Sequence, residues 1–428
     1  MSAELDPNVL MISTEYPPIP GGVGRYTSNL VNSLKKMGVE VYVLCNEKGH
    51  GDYFGLDPSN QNNSQVILNV IDKLNPDVVH VQLEHGLYGL KQRFRNKSSK
   101  SITNIEYFYE KCPIPIITTF HSAYPFRQWL KLSKLLYNQE NYTNTNSINP
   151  FKKINEFMIS LSTYYEFKKS NKNKMKKSSS NIVFSDYLGH LISNGIVMTK
   201  SISKKNNLFV VYHGGEPTLP VPLERKLARK KFNLPVDKKI GLLFGFATDT
   251  KGWDLLGCLN IPHDWIIVIN QSKNLYGTKN HSTVTTIEYL DHKIKGYANN
   301  GDQKIINLNQ GFLTDMDLST LLYSSDVIIL PYTVTSGSGV LFDALAHGLP
   351  FIATDLGFFK EFEKKGLGIT VKRKPGEFEG ALKRLEVGYS EYVQKVEEFK
   401  PELIWNNIAR QHLKIYINSI LDRKIGNV

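Results

Sequence analysis

The sequence is expected to fold as an α/β protein built from two doubly wound domains, and three observations lead there. Short apolar runs alternate with helix-length segments along the whole chain. The alternation breaks once, at a glycine-rich stretch followed by prolines. Apolar runs also end in small-residue loops that open helical patterns.

In the first half the strand candidates are residues 9–13, 39–45, 78–82, 114–119, 182–185 and 208–212. The second half supplies 240–244, 265–270, 305–308, 327–330 and 351–354. Strands separated by helices pair in parallel, with helices on both faces of the sheet. The break is expected at His213-Gly214-Gly215-Glu216-Pro217 and the following TLPVPLE. Domains of residues 1–214 and 215–400 are therefore expected, with 401–428 as a final helix. That helix places Trp405, Ile408, Leu413, Tyr416 and Ile420 at mostly helical spacing.

The most informative loop follows residues 327–330. Pro331 leads into a Ser/Gly cluster, a helix is predicted from about Val340, and Gly348-Leu349-Pro350 stops it. A small-residue loop exposes free amide donors at a helix N-terminus, where the dipole favours an anion. Asp343, one turn in, offers a carboxylate to hydroxyls. Donors for phosphate beside an acceptor for hydroxyls suit a sugar nucleotide; an ordinary βα unit with a flexible loop has the same pattern. Near the start, Glu15-Tyr16-Pro17-Pro18-Ile19-Pro20 runs into GGVGRYTSNL, a second loop at a strand's carboxyl end, where doubly wound sheets bind ligands. It holds Gly22-x-Gly24 without the full dinucleotide fingerprint, which argues against an NAD-dependent oxidoreductase.

Bulk composition narrows the class. A chain of 428 residues is too long for one ordinary domain, and 41% hydrophobic with 21% charged residues fits a globular protein. Cys45, Cys112 and Cys258 are scattered, without disulfide or metal spacing, and read as side chains in a reducing compartment. The acidic start MSAELDPNVLMIS is not expected to be a signal peptide, and no apolar run approaches the roughly 20 residues of a spanning helix. A cytoplasmic protein is expected, peripheral at most on the membrane's cytoplasmic face. The net charge of +12 is concentrated in residues 127–180, where eleven cations against three glutamates give +8. In FRQWLKLSKLLY, Arg127, Lys131 and Lys134 share one helical face, while Phe126, Trp129, Leu130, Leu136 and Tyr137 cover another. Such a helix suits an anionic membrane, or packs its apolar side within the domain. Residues 137–180 show no long clean periodicity and read as a helical insertion with mobile connections. No motif points to nucleic acid.

Seven motifs then occur in order: EYPPIPGGVGRYTSNLVNSLKKMGVEV, LNPDVVHVQLEHGLYG, TTFHS, VVYHGGEP, GFATDTKGWDLL, NQGFLTD and SGSGVLFDALAHGLPFIATDLG. Together they resemble the retaining GT-B glycosyltransferases, the group that includes glycogen synthases and lipid-directed mannosyltransferases. The resemblance implies two Rossmann-like domains with the active site between them. The N-terminal domain would take a hydroxyl acceptor, lipid-linked in some relatives, and the C-terminal domain a UDP- or GDP-type sugar. The last helix would return to the first domain. No metal or other cofactor is implied; basic side chains, amides and a helix end would stabilise the departing diphosphate.

By position, Lys251 in TKGWD matches the lysine that contacts the diphosphate, and His121 the histidine that reaches the donor sugar. Asp343 takes the hydroxyl-binding carboxylate's place. Gly21 and Gly22 match the phosphate-side loop, Phe312 and Leu313 the base-binding loop, though Phe312 also reads as core packing. Thr335, Ser336, Gly337, Ser338, Gly339 and Val340 form the helix-opening loop that would bind the donor. His80, Glu84 and His85 end another strand and are weaker candidates. Two departures stand out: Phe246-Ala247-Thr248 occupies the place of an arginine, and Thr335 with Asp343 replaces a pair of glutamates. Losing one charged hydrogen bond to phosphate costs roughly 1.5–3 kcal/mol. A catalytically silent GT-B protein that binds a nucleotide sugar or a protein partner is the competing reading.

Overall fold

The computed structural model describes residues 6–90, 102–138, 150–193, 207–215, 222–246, 248–272 and 304–426. The chain divides into two compact units, Met1–Tyr212 with Trp405–Val428, and His213–Ile404. Each is built on a parallel six-stranded sheet.

In the first unit β1 (Asn8–Ile12), β2 (Glu40–Leu44), β3 (Val78–Leu83), β4 (Ile116–Phe120), β5 (Ser180–Val183) and β6 (Leu208–Val210) align in the order β2-β1-β3-β4-β5-β6. The helices between them are α1 (Gly22–Lys36), α2 (Asn63–Leu74), α3 (Glu106–Lys111), α4 (Phe126–Asn138), α5 (Pro150–Lys177) and α6 (Asp186–Ser193). β3 and β4 are buried at every position, as expected of strands covered on both faces.

The second unit repeats the plan. Its strands are β7 (Lys239–Phe246), β8 (Trp265–Ser272), β9 (Ile305–Asn307), β10 (Val327–Leu330), β11 (Phe351–Thr354) and β12 (Gly368–Val371), in the order β12-β11-β10-β7-β8-β9. Strand order reverses between β7 and β10, the topological switch point where such sheets bind ligands. Its helices are α7 (Arg225–Lys231), α8 (Asp315–Tyr323), α9 (Gly339–Ala346), α10 (Gly357–Glu363), α11 (Pro375–Val387) and α12 (Tyr389–Phe399). One apolar cluster joins Ile267, Ile329 and Ile352 of the sheet to Trp253, Leu256 and the α11 residues Phe378 and Leu385.

The final helix, α13 (Trp405–Gly426), starts after the short turn Lys400–Leu403, later than the sequence pattern suggests. It belongs to the first unit and is held there by polar bonds. Tyr26 OH lies 3.2 Å from His412 Nε2, His80 Nδ1 lies 2.7 Å from Tyr416 OH, and Ser180 pairs with Ser419 at 2.8 Å.

Three elements differ from the sequence expectation. β12 is absent from the expected strands, because Gly368-Ile369-Thr370-Val371 is short and carries no apolar run. Residues 150–177, expected as part of a helical insertion without clean periodicity, are helical, and differ only in forming a single 28-residue helix, α5. Its inward face carries Ser160, Thr163, Ser170, Asn171 and Lys174 as well as Phe167, so burial does not follow hydrophobicity there. The apolar side of α4 is also spoken for: Trp129 is fully buried, 4.5 Å from the Phe167 ring, and its Nε1–H donates to Ser160 O at 3.1 Å. That indole is unavailable to a membrane.

Two buried ionic arrangements set the stability expectations. Arg229, 4% exposed, donates to the carbonyls of Ser324, Pro235, Val236 and Lys238 and pairs with Asp326 at 2.8 Å. Arg229→Ala should therefore lower the unfolding free energy by about 3–5 kcal/mol, read by denaturant unfolding of the full chain, because Asp326 keeps its burial and loses this partner. A loss near zero would remove Arg229 as the anchor of α7.

Burial drives the His85 imidazole down to about 3 and His412 to about 4, and pushes His80 well below its ordinary value. The unfolded chain then takes up protons near pH 6.5 that the fold refuses. Stability is complete above that pH and falls as pH drops toward 4. Glu15, raised to about 7 by burial, acts oppositely, losing stability as pH rises from 4.5 to 7. With three histidines on the first side, unfolding midpoints should drop on acidification from pH 6.5 to 4, and more steeply in Glu15→Gln than in the parent.

Candidate functional site

At the switch point of the second unit, two loops leave the sheet side by side and are stitched together by backbone. Thr333 N donates to Thr250 O at 2.9 Å, and Thr333 Oγ1 to Asp249 O at 3.1 Å. Gly252 takes φ +67, and a Cβ there would stand 2.1 Å from Pro331 O, so no other residue lets the loops approach this closely. Arg373, from beyond β12, closes the joint by donating to Pro331 O at 3.1 Å and Gly252 O at 3.0 Å.

This joint fixes Lys251. Its ammonium lies 4.0 Å over the Tyr332 ring and donates to Tyr332 OH, a cation–π contact with a hydrogen bond. Tyr332 OH reaches Ser338 Oγ at 3.4 Å, and Ser338 Oγ accepts from Leu341 N at 3.2 Å as the N-cap of α9. A chain of contacts therefore connects the lysine to the helix end. Among the described residues, the amides of Gly339 and Val340, the first two of α9, have no hydrogen-bond partner. A cation and a helix N-terminus thus stand together at the carboxyl ends of two central strands, the kind of place where a helix dipole favours an anion.

The rest of the loop is ordered around that helix end. Thr335 is buried and its hydroxyl donates to Gly337 O at 2.6 Å; Ser336 is buried beside it. Asp343 is 4% exposed, one turn into α9, and its carbonyl receives both His347 N and His347 Nδ1. His213, in the stretch that breaks the strand pattern, stacks on Phe342 with ring centroids 5.7 Å apart, its Nε2 3.3 Å from where a Gly339 Cβ would sit. The HGG motif thus has a packing role against α9 that its position in sequence did not disclose.

Phe312 departs from the core-packing reading. It is 52% exposed and stacks on Phe246 at the end of β7, with centroids 6.2 Å apart and planes 27° apart. Leu313 is half-buried next to it. The preceding turn is clamped to β8 by Asn270 Nδ2 and Ser272 Oγ, which both donate to Gly311 O. The result is an accessible aromatic platform at the carboxyl ends of β7 and β9. Of the tripeptide in the arginine's place, Ala247 lies outside the described residues.

In the first unit, His121 follows β4 and is half-buried. Its Nε2 lies 2.9 Å from Gln82 Oε1, a contact that fixes the orientation of the ring. Tyr26 and Phe184 hold the ring edge-on at 5.3 and 5.0 Å. His80 is fully buried between Thr119 and Tyr416, and His85 bonds Asn171 at 2.6 Å, so both serve the interior of the fold. Burial raises Glu84, whose carboxylate caps the turn after β3 by accepting from Gly86 N.

Gly21 and Gly22 open α1, but the anion place under them already has an occupant. Glu15 Oε2 accepts from Gly24 N at 3.3 Å, and a Cβ on Gly21 would lie 2.0 Å from the Glu15 carboxyl carbon. Gly21 is thus a glycine that makes room for a buried carboxylate. Neither Glu15, Tyr332 nor Arg373 carries a local sequence signal: each acts through a residue that only folding brings near.

Comparison with known proteins adds the family. Residues 20–149 match the family model described as Glycosyltransferase Family 4, and residues 290–386 the model described as Glycosyl transferases group 1. No curated protein matches the chain by sequence. Among solved structures, the fold is similar to a sucrose-phosphate synthase from Thermosynechococcus elongatus (TM-score 0.65, 14% identity, covering 96% of this chain and 98% of that one). It is similar too to a glycosyltransferase from Rickettsia africae ESF-5 (0.62, 17%, covering 97% and 99%). HepE from Anabaena, in complex with UDP and glucose, also matches (0.59, 12%, covering 95% and 98%). Two glycosyltransferase family models in order along two parallel α/β sheets show that the chain belongs to the GT-B glycosyltransferases.

Proposed function

We propose that the enzyme transfers a hexose from a UDP- or GDP-type sugar to a hydroxyl acceptor, with retention of configuration. The observation that carries this reading is Lys251, held by Tyr332 beside the unfilled amides of α9. During transfer the bond from the sugar's anomeric carbon to the diphosphate oxygen breaks, and its electron pair goes to that oxygen. The acceptor hydroxyl oxygen bonds to the same carbon and its proton passes to the departing diphosphate. Lys251 and the α9 donors, rather than a metal ion, face the charge that grows on the phosphate. Phe246 and Phe312 offer a stacking surface for the base, with Leu313 beside them. Thr335, Ser336, Gly337 and Ser338 line the approach to α9, and Asp343 supplies the carboxylate for sugar hydroxyls. In the N-terminal unit, the half-buried His121 is the ring that reaches the donor sugar, while Gly21 and Gly22 bind phosphate only when Glu15 is displaced or protonated.

A UDP- and glucose-bound HepE among the similar structures supports the donor class. The silent alternative draws on Thr335, whose neutral side chain bonds inside its own loop where a second glutamate is expected.

Thermal-shift titration with UDP-, GDP- and ADP-sugars separates these readings when paired with release of nucleoside diphosphate in the presence of acceptor. A ligand at about 100 times its Kd should add about 2.7 kcal/mol of stability. Lys251→Ala should cut kcat/KM roughly 10- to 100-fold, the worth of one charged hydrogen bond, and Tyr332→Phe by less. Full turnover in Lys251→Ala would refute the assignment. Nucleotide binding without diphosphate release would favour the silent protein.

A further inference from the structure

Helix α5 has a second face that the fold does not use. Phe167, Ser170, Asn171 and Lys174 turn inward and are buried, while Ile154, Met158, Leu161 and Tyr165 lie on the opposite side, between 43% and 72% exposed. Their spacing of four, three and four residues puts them on one line along the helix, with Phe157, also exposed, at its edge. The same line continues into Lys169, Lys172 and Lys176, all exposed, again at intervals of four, three and four. One open face is therefore apolar over its first three turns and cationic over its last two. At 1.5 Å per residue it runs about 33 Å.

Large apolar side chains in a contiguous exposed row mark a contact surface. The charge around them selects the partner. Residues 127–180 carry a net +8, and Arg127, Lys131 and Lys134 of the neighbouring α4 are exposed as well. Pairing this face with a second copy would bring two such segments together, and the apolar row is only four positions long, a short seam for a coiled coil. An anionic lipid surface attracts the lysines and receives the apolar row at its headgroup boundary. No described helix is long and apolar enough to cross a membrane, so the contact is interfacial.

We propose that the outer face of α5 is a membrane-docking surface, in which Ile154, Met158, Leu161 and Tyr165 enter the interface of an anionic bilayer while Lys169, Lys172 and Lys176 meet lipid phosphates. This moves the membrane contact from the aromatic side of α4, where Trp129 is buried, to α5.

The test is co-sedimentation of the full chain with phosphatidylcholine vesicles, with and without phosphatidylglycerol, at low and high salt. The parent should bind the phosphatidylglycerol vesicles at low salt and lose binding at high salt. Lys169→Gln with Lys172→Gln and Lys176→Gln should weaken partitioning about fivefold per lysine, roughly 100-fold together. Ile154→Ser with Met158→Ser and Leu161→Ser should weaken it about tenfold or more while leaving the thermal midpoint within a few degrees, since these side chains are already exposed to water. Partitioning of either triple variant equal to the parent overturns the proposal. So does a parent that ignores anionic vesicles, or one that is dimeric by light scattering and becomes monomeric in the serine variant, which would assign the face to a second copy.

Discussion

The contact between Gly252 and the carbonyl of Pro331 constrains most of what the C-terminal unit does. β7 and β10 are neighbours in the sheet, so the loops that leave them are neighbours too. Neighbouring loops ordinarily keep a side chain's width between them. Here the missing Cβ lets the backbones meet, and Arg373 satisfies the two carbonyls that this brings together. Lys251 is one residue before the contact and Tyr332 one residue after it. Their pairing follows from the joint, and so does the line from the ammonium through Tyr332 and Ser338 to the first turn of α9. The arrangement is preorganised, which is what electrostatic stabilisation of a leaving group requires.

The N-terminal unit relies on a different constraint. Its centre is polar: Gln82, Thr119 and Tyr416 are buried around His80 and bond to its ring, and His412 beside them bonds to Tyr26 and the Ile408 carbonyl. Buried polar groups that lose a partner are expensive, so such a network fixes geometry more sharply than an apolar core of the same size. It ties α13 to β3 through His80 and Tyr416 and, through Gln82, holds the His121 ring in place. The position of one candidate side chain thus depends on a helix nearly 300 residues further along the chain.

That dependence explains how much the sequence disclosed. The strands were legible because parallel strands covered on both faces read as continuous apolar runs, and among the described strands only β12, whose Gly368 and Thr370 interrupt its apolar residues, escaped. The Gly/Ser loop drew notice because small residues between a strand and a helix open the backbone there, and Lys251 through a resemblance carried by the TKGWD motif. Tyr332 and Arg373 were not legible, since they act on residues 81 and 121 positions away. At Gly21 the sequence did not disclose what stands in the space beside it: Glu15, a carboxylate six residues before it. Phe312 carried two readings, base-binding loop or core, and the loop clamped by Asn270 and Ser272 leaves it exposed and outside the core.

Helix α5 shows why periodicity failed in one segment and what the failure means. A helix that buries its apolar stripe produces a clean 3.6-residue pattern. α5 instead buries serine, threonine, asparagine and a lysine paired with Glu106, and leaves isoleucine, methionine, leucine and tyrosine outside. Against a single inside–outside rule this looks like noise. Taken as two faces, each is regular: the inner one is held by hydrogen bonds from Ser133 and Trp129 and by those it donates to Glu106, and the outer one keeps its own spacing through three turns of apolar residues and two of lysine. Polar bonding to the fold leaves Ile154, Met158, Leu161 and Tyr165 exposed among the described residues, and the docking face proposed for α5 accounts for their regular spacing.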